Sequence, residues 1–102
     1  MNHKSNIVVL KFGSSVLRSE GDLASAVHEI YRWWREGFQV VAVVSALGNT
    51  TNELAHRAQS VCDEPGDELV AALLATGEAT SSALMGLALN RSGIPATALD
   101  AE

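Results

Sequence analysis

An unbroken apolar run near the N-terminus constrains the fold more than any other feature of the sequence. Residues Ile7 to Phe12 read Ile-Val-Val-Leu-Lys-Phe, and a second apolar run covers Phe38 to Ser45. Continuous rather than alternating apolar residues are typical of strands that are covered on both faces, as in parallel sheets flanked by helices. The sequence therefore predicts an α/β fold.

The segment between these two strands has the period of a helix. Apolar residues recur at helical spacing from Asp22 to Glu36, with Asp22 as the predicted N-cap and Gly37 at the predicted end. A helix of about fifteen residues between two buried strands is typical of a right-handed βαβ unit. We therefore expect the two strands to be parallel neighbours.

The second half of the chain is predicted to be mainly helical. Thr50, followed three residues later by Glu53, has the spacing of a capping box that opens a helix. A second helical pattern runs from Asp67 to Arg91 and is interrupted at Thr76-Gly77-Glu78. A glycine inside a helix costs about 1 kcal/mol relative to alanine, so Gly77 indicates either a break in the helix or a close approach of another element. Pro95 to Leu99 is predicted to be a third strand. The predicted architecture is a three-layer αβα sandwich with a mainly parallel sheet.

Charge and composition exclude several classes of function. Seven basic residues against twelve acidic ones give a net charge of −5, which argues against nucleic acid as a partner, since that partner requires a basic face. The single cysteine, Cys62, cannot form an internal disulfide, and no apolar run approaches the roughly 18 residues of a membrane span. We therefore expect a cytoplasmic protein with no membrane partner.

The length of 102 residues allows one domain, 1–102, and no second domain. An enzyme with both a nucleotide site and a second substrate site rarely fits in a chain of this size. We therefore expect the chain to be a fragment.

Ligands of parallel α/β sheets bind beyond the carboxyl ends of the strands, and Lys11, Gly13 and Ser14 lie at the first such end. A buried lysine needs an anionic partner, and the backbone N–H groups of Gly13 and Ser14 can cradle the same anion. Gly13 ends the strand, and glycine is able to adopt a positive φ there that other residues resist. The alternative is a lysine whose ammonium reaches solvent at a strand end. Neither a Walker A nor a Gly-x-Gly-x-x-Gly pattern is present.

A second candidate site follows the second strand. Ser45, Thr51 and Asn52 surround a strand end, a glycine-containing turn and a helix N-terminus. Free N–H groups and the positive end of a helix dipole favour a carboxylate or a phosphate at such a place. The alternative is ordinary helix capping, which needs Thr50 and Glu53 but not the other three residues.

The third candidate is Glu78, beside the glycine of the predicted helix break, where its carboxylate can point into a cleft. The alternative is a solvated glutamate at a junction between helices. No metal site is predicted, because His3, His28 and His56 are scattered and lack the spacing of metal ligands.

Taken in this order, the three segments resemble the N-terminal part of the aspartate kinases, within the amino acid kinase family. Val9 to Gly13 resembles the opening Lys-Phe-Gly-Gly signature of that family. Val43 to Leu54 is similar to its Val-Ser-Ala-Met-Gly-Lys-Thr-Thr-Asn-x-Leu segment, and Leu74 to Glu78 resembles its Leu-Ser-x-Gly-Glu segment. The resemblance covers the chain from Ile7 to Leu99, and its middle segment is the most specific.

The resemblance implies that ATP, accompanied by Mg²⁺, phosphorylates the side-chain carboxylate of aspartate in the first step of lysine, threonine and methionine biosynthesis. By this resemblance Lys11 would be catalytic and would contact the transferring phosphoryl group, in a phosphate turn formed by Gly13 and Ser14. Ser45 and Thr51 would bind aspartate, and Glu78 would receive its α-ammonium. ATP and aspartate are thus the implied ligands.

Two residues depart from the family pattern. Ser14 stands where a second glycine is usual, a form of the turn that is similar to glutamate 5-kinase, and Asn49 replaces the usual lysine. Two alternatives therefore stay open: a glutamate 5-kinase-like enzyme, or a degenerate non-catalytic domain attached to a downstream enzyme such as homoserine dehydrogenase.

The resemblance also places most of the nucleotide site after residue 102. We therefore expect the fragment alone to be inactive. The exposed apolar edge of a truncated sheet further predicts a homo-oligomer.

Overall fold

The computed structural model describes residues 6–99, which form two strands and three α-helices. In chain order the elements are β1 (Ile7–Phe12), a 3₁₀ turn (Glu20–Asp22), α1 (Leu23–Trp34), β2 (Gln39–Val44), α2 (Thr50–Val61) and α3 (Asp67–Arg91). The bounds of both strands and of all three helices lie close to those predicted from the apolar patterns.

The two strands pair in parallel, as predicted. Their register runs from Ile7 opposite Gln39 to Phe12 opposite Val44. The helix between them, α1, packs against both strands and against α3. Its buried stripe consists of Leu23, Ala26, Val27 and Ile30. Because the strands are parallel, their carboxyl ends lie side by side at one edge of the sheet.

The hydrophobic core lies on one face of this sheet. Alternate strand residues point toward it and pack with α1 and with the C-terminal half of α3; they are Leu10, Phe12, Val40, Ala42 and Val44. The opposite face carries Val9, which is 63% exposed, and Val43, which is 47% exposed. The helices within residues 6–99 thus cover one face of the sheet. The apolar runs of the sequence had predicted that both faces would be covered.

The long helix α3 is continuous, so of the two alternatives predicted at Gly77 the break is wrong and the close approach is confirmed. A Cβ atom added to Gly77 would lie 3.1 Å from Ala46 Cβ and 3.1 Å from Thr50 Cγ2. The glycine therefore allows α3 to approach the β2–α2 connection closely. Tight packing compensates for its low helix propensity.

Two further sequence predictions are wrong in detail. The N-cap of α2 is Asn49 rather than Thr50, and the Glu53 N–H donates to the Asn49 carbonyl over 2.9 Å without any side-chain cap. The segment Pro95–Leu99 is not a strand within the described residues. A strand requires a ladder of backbone hydrogen bonds, and residues 94–99 pair with neither β1 nor β2.

By length and composition α3 is apolar enough to cross a membrane, with a mean hydropathy of 1.3 over its most apolar 18 residues. This finding qualifies the expectation that no segment approaches a membrane span. The core helix of a soluble protein can have the same length and composition. The buried positions of α3 are Gly77, Ser81, Met85 and Leu89, which form one stripe along the helix.

The two glycines inside α3 provide a matched test of this packing. We expect Gly77→Val to lower the free energy of unfolding by about 1–3 kcal/mol, because the added atoms overlap the β2–α2 connection. Gly86→Val is the control, since no atom of residues 6–99 lies within 4 Å of a Cβ added at Gly86. Urea unfolding of both variants measures the difference, and equal stabilities would contradict the close approach.

Candidate functional site

The loops that follow the two strands lie next to each other. Phe12 and Val44 are the last paired residues of the sheet, and the Ser45 N–H donates to the Phe12 carbonyl over 3.0 Å. The parallel pairing therefore brings the first two sequence motifs to one edge of the sheet. This is the edge at which ligands of parallel α/β sheets bind.

The loop after β1 folds into a turn with free backbone donors. The Gly13 carbonyl accepts hydrogen bonds from the N–H groups of Val16, over 3.0 Å, and Leu17, over 2.9 Å. Within residues 6–99, the N–H groups of Gly13, Ser14 and Ser15 have no backbone acceptor. Successive unpaired N–H groups in a turn form a concavity that binds anions.

Gly13 does not use the positive φ that glycine permits. Within the described range the glycines with positive φ are Gly37, Gly48 and Gly93, and no atom lies within 4 Å of a Cβ added at Gly13. The conformation of this turn therefore does not itself require glycine. The loop after β2 requires it instead, at Gly48.

Lys11 is exposed, whereas the sequence predicted a lysine inside a buried strand. Strand alternation places it on the open face of the sheet with Ile7 and Val9, and its register partner is Val43. Lys11 forms no ion pair with any residue in the described range. Its ammonium is therefore available to an anion near the strand ends. The exposure of Lys11 also agrees with the alternative interpretation, in which the ammonium only reaches solvent.

The loop after β2 presents both hydroxyls and free amides. Ser45 is half-buried and Thr51 is exposed in the first turn of α2. The N–H groups of Thr51 and Asn52 have no backbone acceptor among residues 6–99, and Asn49 provides no side-chain cap. With the helix dipole, these donors favour a carboxylate or phosphate at the start of α2.

Glu78 lies on the exposed side of the unbroken helix α3, so no helix break redirects its carboxylate. It lines an open groove of about 590 Å³ between α3 and β2. Val41 to Val44, whose side chains alternate between the two faces of the sheet, line the groove, and no residue of β1 does. The groove therefore follows the edge of β2 that is not paired with another strand within the described chain. Glu78 therefore faces the part of β2 that leads into Ser45.

Metal ligands were the next possibility at the carboxyl ends of the strands, and the described residues form no metal centre there. Residues 6–99 contain no group of three His, Cys, Asp or Glu side chains that could hold a metal ion. Of the three histidines considered from the sequence, His3 lies outside the described residues.

Sequence reasoning did not identify Gly48 as a contact residue. Its N–H donates to the Leu17 carbonyl over 2.7 Å, which joins the loop after β2 to the loop after β1. The available signal was a glycine in the turn between Leu47 and Asn49, but the sequence does not show which backbone lies beside it.

A model of the amino acid kinase family matches residues 6–102 of the chain. Aspartokinase 2 of Bacillus subtilis is 36% identical over 90 residues, which are 88% of this chain and 22% of that protein. An aspartokinase of Geobacillus stearothermophilus is 34% identical over 91% of this chain and 23% of that protein. The chain thus spans less than a quarter of the length of these curated relatives.

A solved structure has a similar fold. The crystal structure of aspartate kinase from Synechocystis matches with a TM-score of 0.84 and 34% sequence identity. The match covers 89% of this chain and 16% of that one. It supports the α/β fold predicted from the sequence, although residues 6–99 themselves supply helices to one face of the sheet.

Proposed function

This chain belongs to the amino acid kinase family, and we propose that it is the N-terminal, aspartate-binding part of an aspartate kinase. The proposed reaction transfers the γ-phosphoryl group of ATP to the side-chain carboxylate of aspartate and forms 4-phosphoaspartate, the first step of lysine, threonine and methionine biosynthesis. Relatives named aspartokinase, at 34–36% identity over most of the chain, support this proposal. The activity would belong to the longer protein, and the segment alone would be inactive.

The observation that carries the proposal is the meeting of two sets of free N–H donors at one edge of the sheet. One set follows β1 at Gly13 and Ser14, and the other begins α2 at Thr51. The two substrates, ATP and aspartate, are both anionic, so each set suits one of them. Phosphoryl transfer depends mainly on positioning and on neutralising charge, which these donors and Lys11 would provide.

We assign the phosphoryl group to the β1 side of this edge. Lys11 would be the catalytic residue, because its free ammonium can neutralise charge that develops on the transferring group. The N–H groups of Gly13 and Ser14 would hold the same phosphate oxygens. Ser14 supplies an N–H as well as a glycine would, so its departure from the family pattern leaves this backbone role intact.

We assign aspartate to the β2 side. Ser45 and Thr51 would bind the substrate with their hydroxyls, beside the amides at the start of α2. Glu78, across the groove from β2, would pair with the α-ammonium. A charge-assisted hydrogen bond of this kind is stronger than one between neutral groups.

ATP would enter as its Mg²⁺ complex. The described residues do not fit a magnesium site of their own, because they offer no cluster of carboxylates and Mg²⁺ prefers oxygen ligands such as carboxylates and phosphates. Most of the nucleotide site would be formed by residues after 102.

Two other functions are each supported by a specific residue. Ser14 favours a glutamate 5-kinase-like enzyme, and Asn49, which removes a positive charge beside the anion site, favours a degenerate domain attached to an enzyme such as homoserine dehydrogenase. Phosphorylation of glutamate in preference to aspartate would support the first. Absence of any kinase activity in the full-length protein would support the second.

We further propose a soluble, cytoplasmic homo-oligomer that binds neither nucleic acid nor a membrane. The net charge of −5 argues against binding to a polyanion. In the segment described, the open face of the sheet carries Ile7, Val9, Val41 and Val43, and an exposed apolar face of this kind promotes association of the segment itself.

The role of Lys11 can be tested in the full-length protein. We expect Lys11→Ala to lower kcat by about 10²–10³-fold, the usual loss when a charge-stabilising donor is removed. Stability should change little, since Lys11 is exposed. Arg91→Ala removes a cation at the far end of α3 and is the control. An unchanged kcat in Lys11→Ala would contradict the phosphate role.

Glu78 tests the choice of substrate. We expect Glu78→Gln to raise KM for aspartate about tenfold or more, through loss of a charged partner, and to affect KM for ATP less. Steady-state kinetics with each substrate varied in turn measures both constants. Glu68→Gln, at an exposed position in the first turn of α3, is the control. Equal KM values for aspartate in wild type and Glu78→Gln would refute the proposed pocket.

Self-association can be measured by sedimentation of this chain at several concentrations. We expect the sedimentation coefficient to rise with concentration, because the open sheet face is apolar. Val41→Lys should shift the equilibrium toward monomer. A monomer at every concentration would contradict the proposed association through this face.

A further inference from the structure

The loop after β2 contacts the loop after β1 at a glycine that tolerates no side chain. Gly48 has a φ of +49°. A Cβ atom added there would overlap the carbonyl oxygen of Arg18 and lie 3.2 Å from the Arg18 carbonyl carbon. The obstacle is backbone, which cannot rotate away as a flexible side chain can. Glycine is therefore required at position 48 for two independent reasons, conformation and space.

The same contact contains a short hydrogen bond. The Gly48 N–H donates to the carbonyl of Leu17 over 2.7 Å. The Leu17 side chain is fully buried in the core, so the acceptor is held by packing. The position of the β2–α2 loop is thus set against a fixed part of the preceding loop.

The Arg18 side of the contact is anchored in turn. The Asp22 carboxylate accepts from the Arg18 backbone N–H over 2.9 Å and from Arg18 Nε over 3.2 Å. These hydrogen bonds from Arg18 hold the pKa of Asp22 below its ordinary value of 3.8, so the carboxylate is ionised at neutral pH. Asp22 is the N-cap residue of α1, as predicted, but its side chain makes no capping hydrogen bond within the described residues and holds Arg18 instead. We call Asp22, Arg18 and Gly48 together the loop latch.

The loop latch connects the two halves of the candidate site. Gly13 and Ser14 lie in the loop that ends at Arg18, and the Gly13 carbonyl accepts from the Leu17 N–H. Gly48 lies three residues after Ser45 and three before Thr51. A shift at Gly48 would therefore change the distance between the phosphate turn and the start of α2.

We propose that Gly48 is a positioning residue for phosphoryl transfer, which acts by holding the β2–α2 loop against the loop after β1. The role rests on the proposed function, because it matters only where two bound groups must react with each other. Phosphoryl transfer requires the attacking oxygen and the phosphorus to be aligned, and a displacement of about 1 Å can cost roughly 10²-fold in rate. Substrate binding to either loop alone is less sensitive to such a displacement.

The first experiment measures the latch itself by amide hydrogen exchange in the full-length protein. In Gly48→Ala we expect the amides of Val16 and Leu17 to exchange about tenfold faster or more, since a non-glycine residue at positive φ and the overlap with Arg18 both disfavour the closed loop. Gly93→Ala is the matched control, because Gly93 also has a positive φ, +83°, but no atom within 4 Å of an added Cβ. Asp22→Asn loosens the latch without adding bulk, and we expect faster exchange at Arg18.

The second experiment measures kinetics of the same variants. We expect Gly48→Ala to lower kcat by about 10²-fold with a smaller change in KM for aspartate. We expect Asp22→Asn to lower kcat less and Gly93→Ala to resemble wild type.

Equal exchange in Gly48→Ala and Gly93→Ala would refute the latch. Faster exchange with an unchanged kcat would refute the positioning role. If the wild-type protein fails to phosphorylate aspartate, the proposed function fails, and the positioning role fails with it, whereas the exchange result still decides whether the latch exists.

Discussion

The parallel pairing of β1 with β2 is the interaction on which the rest of the structure depends. It ends in the hydrogen bond from the Ser45 N–H to the Phe12 carbonyl, directly before both functional loops begin. Parallel strands point their carboxyl ends in one direction, so residues more than thirty positions apart in sequence meet at one edge. An antiparallel pair would have placed Lys11 and Ser45 at opposite ends of the sheet.

Two glycines then set how closely the elements around that edge approach each other. Gly77 lets α3 pack on Ala46 and Thr50, and Gly48 lets the β2–α2 loop meet the backbone of Arg18. In both places a side chain would separate groups that the proposed reaction needs together. Helix propensity alone makes Gly77 unfavourable, by about 1 kcal/mol relative to alanine. The packing around it explains why glycine is nevertheless suited to that position.

The distribution of apolar surface agrees with a segment of a larger domain. The core-facing side of the sheet is packed by α1 and α3, whereas Val9 and Val43 on the other side are largely exposed. The strands carry enough apolar residues for two covered faces, and the described helices cover one. The relatives are more than four times longer than the matched region, so in a protein of that length the remaining chain can supply the second layer.

The sequence by itself determined the two strands, the three helices and their order, because the periods of its apolar residues differ between buried strands and amphipathic helices. It also predicted a strand at Pro95–Leu99 that the described residues do not form, since a short apolar run does not show whether a neighbouring strand is there to pair with it. The runs at Ile7 and Phe38 predicted the parallel pair, and the motifs around Lys11, Ser45 and Glu78 predicted the candidate site residues. Only the tertiary structure decided what each glycine does. Gly13 needs no special φ, Gly77 does not break its helix, and Gly48 carries the contact between loops. A glycine in a sequence permits a conformation or a close approach, but the neighbouring backbone that uses it is known only once the chain has folded.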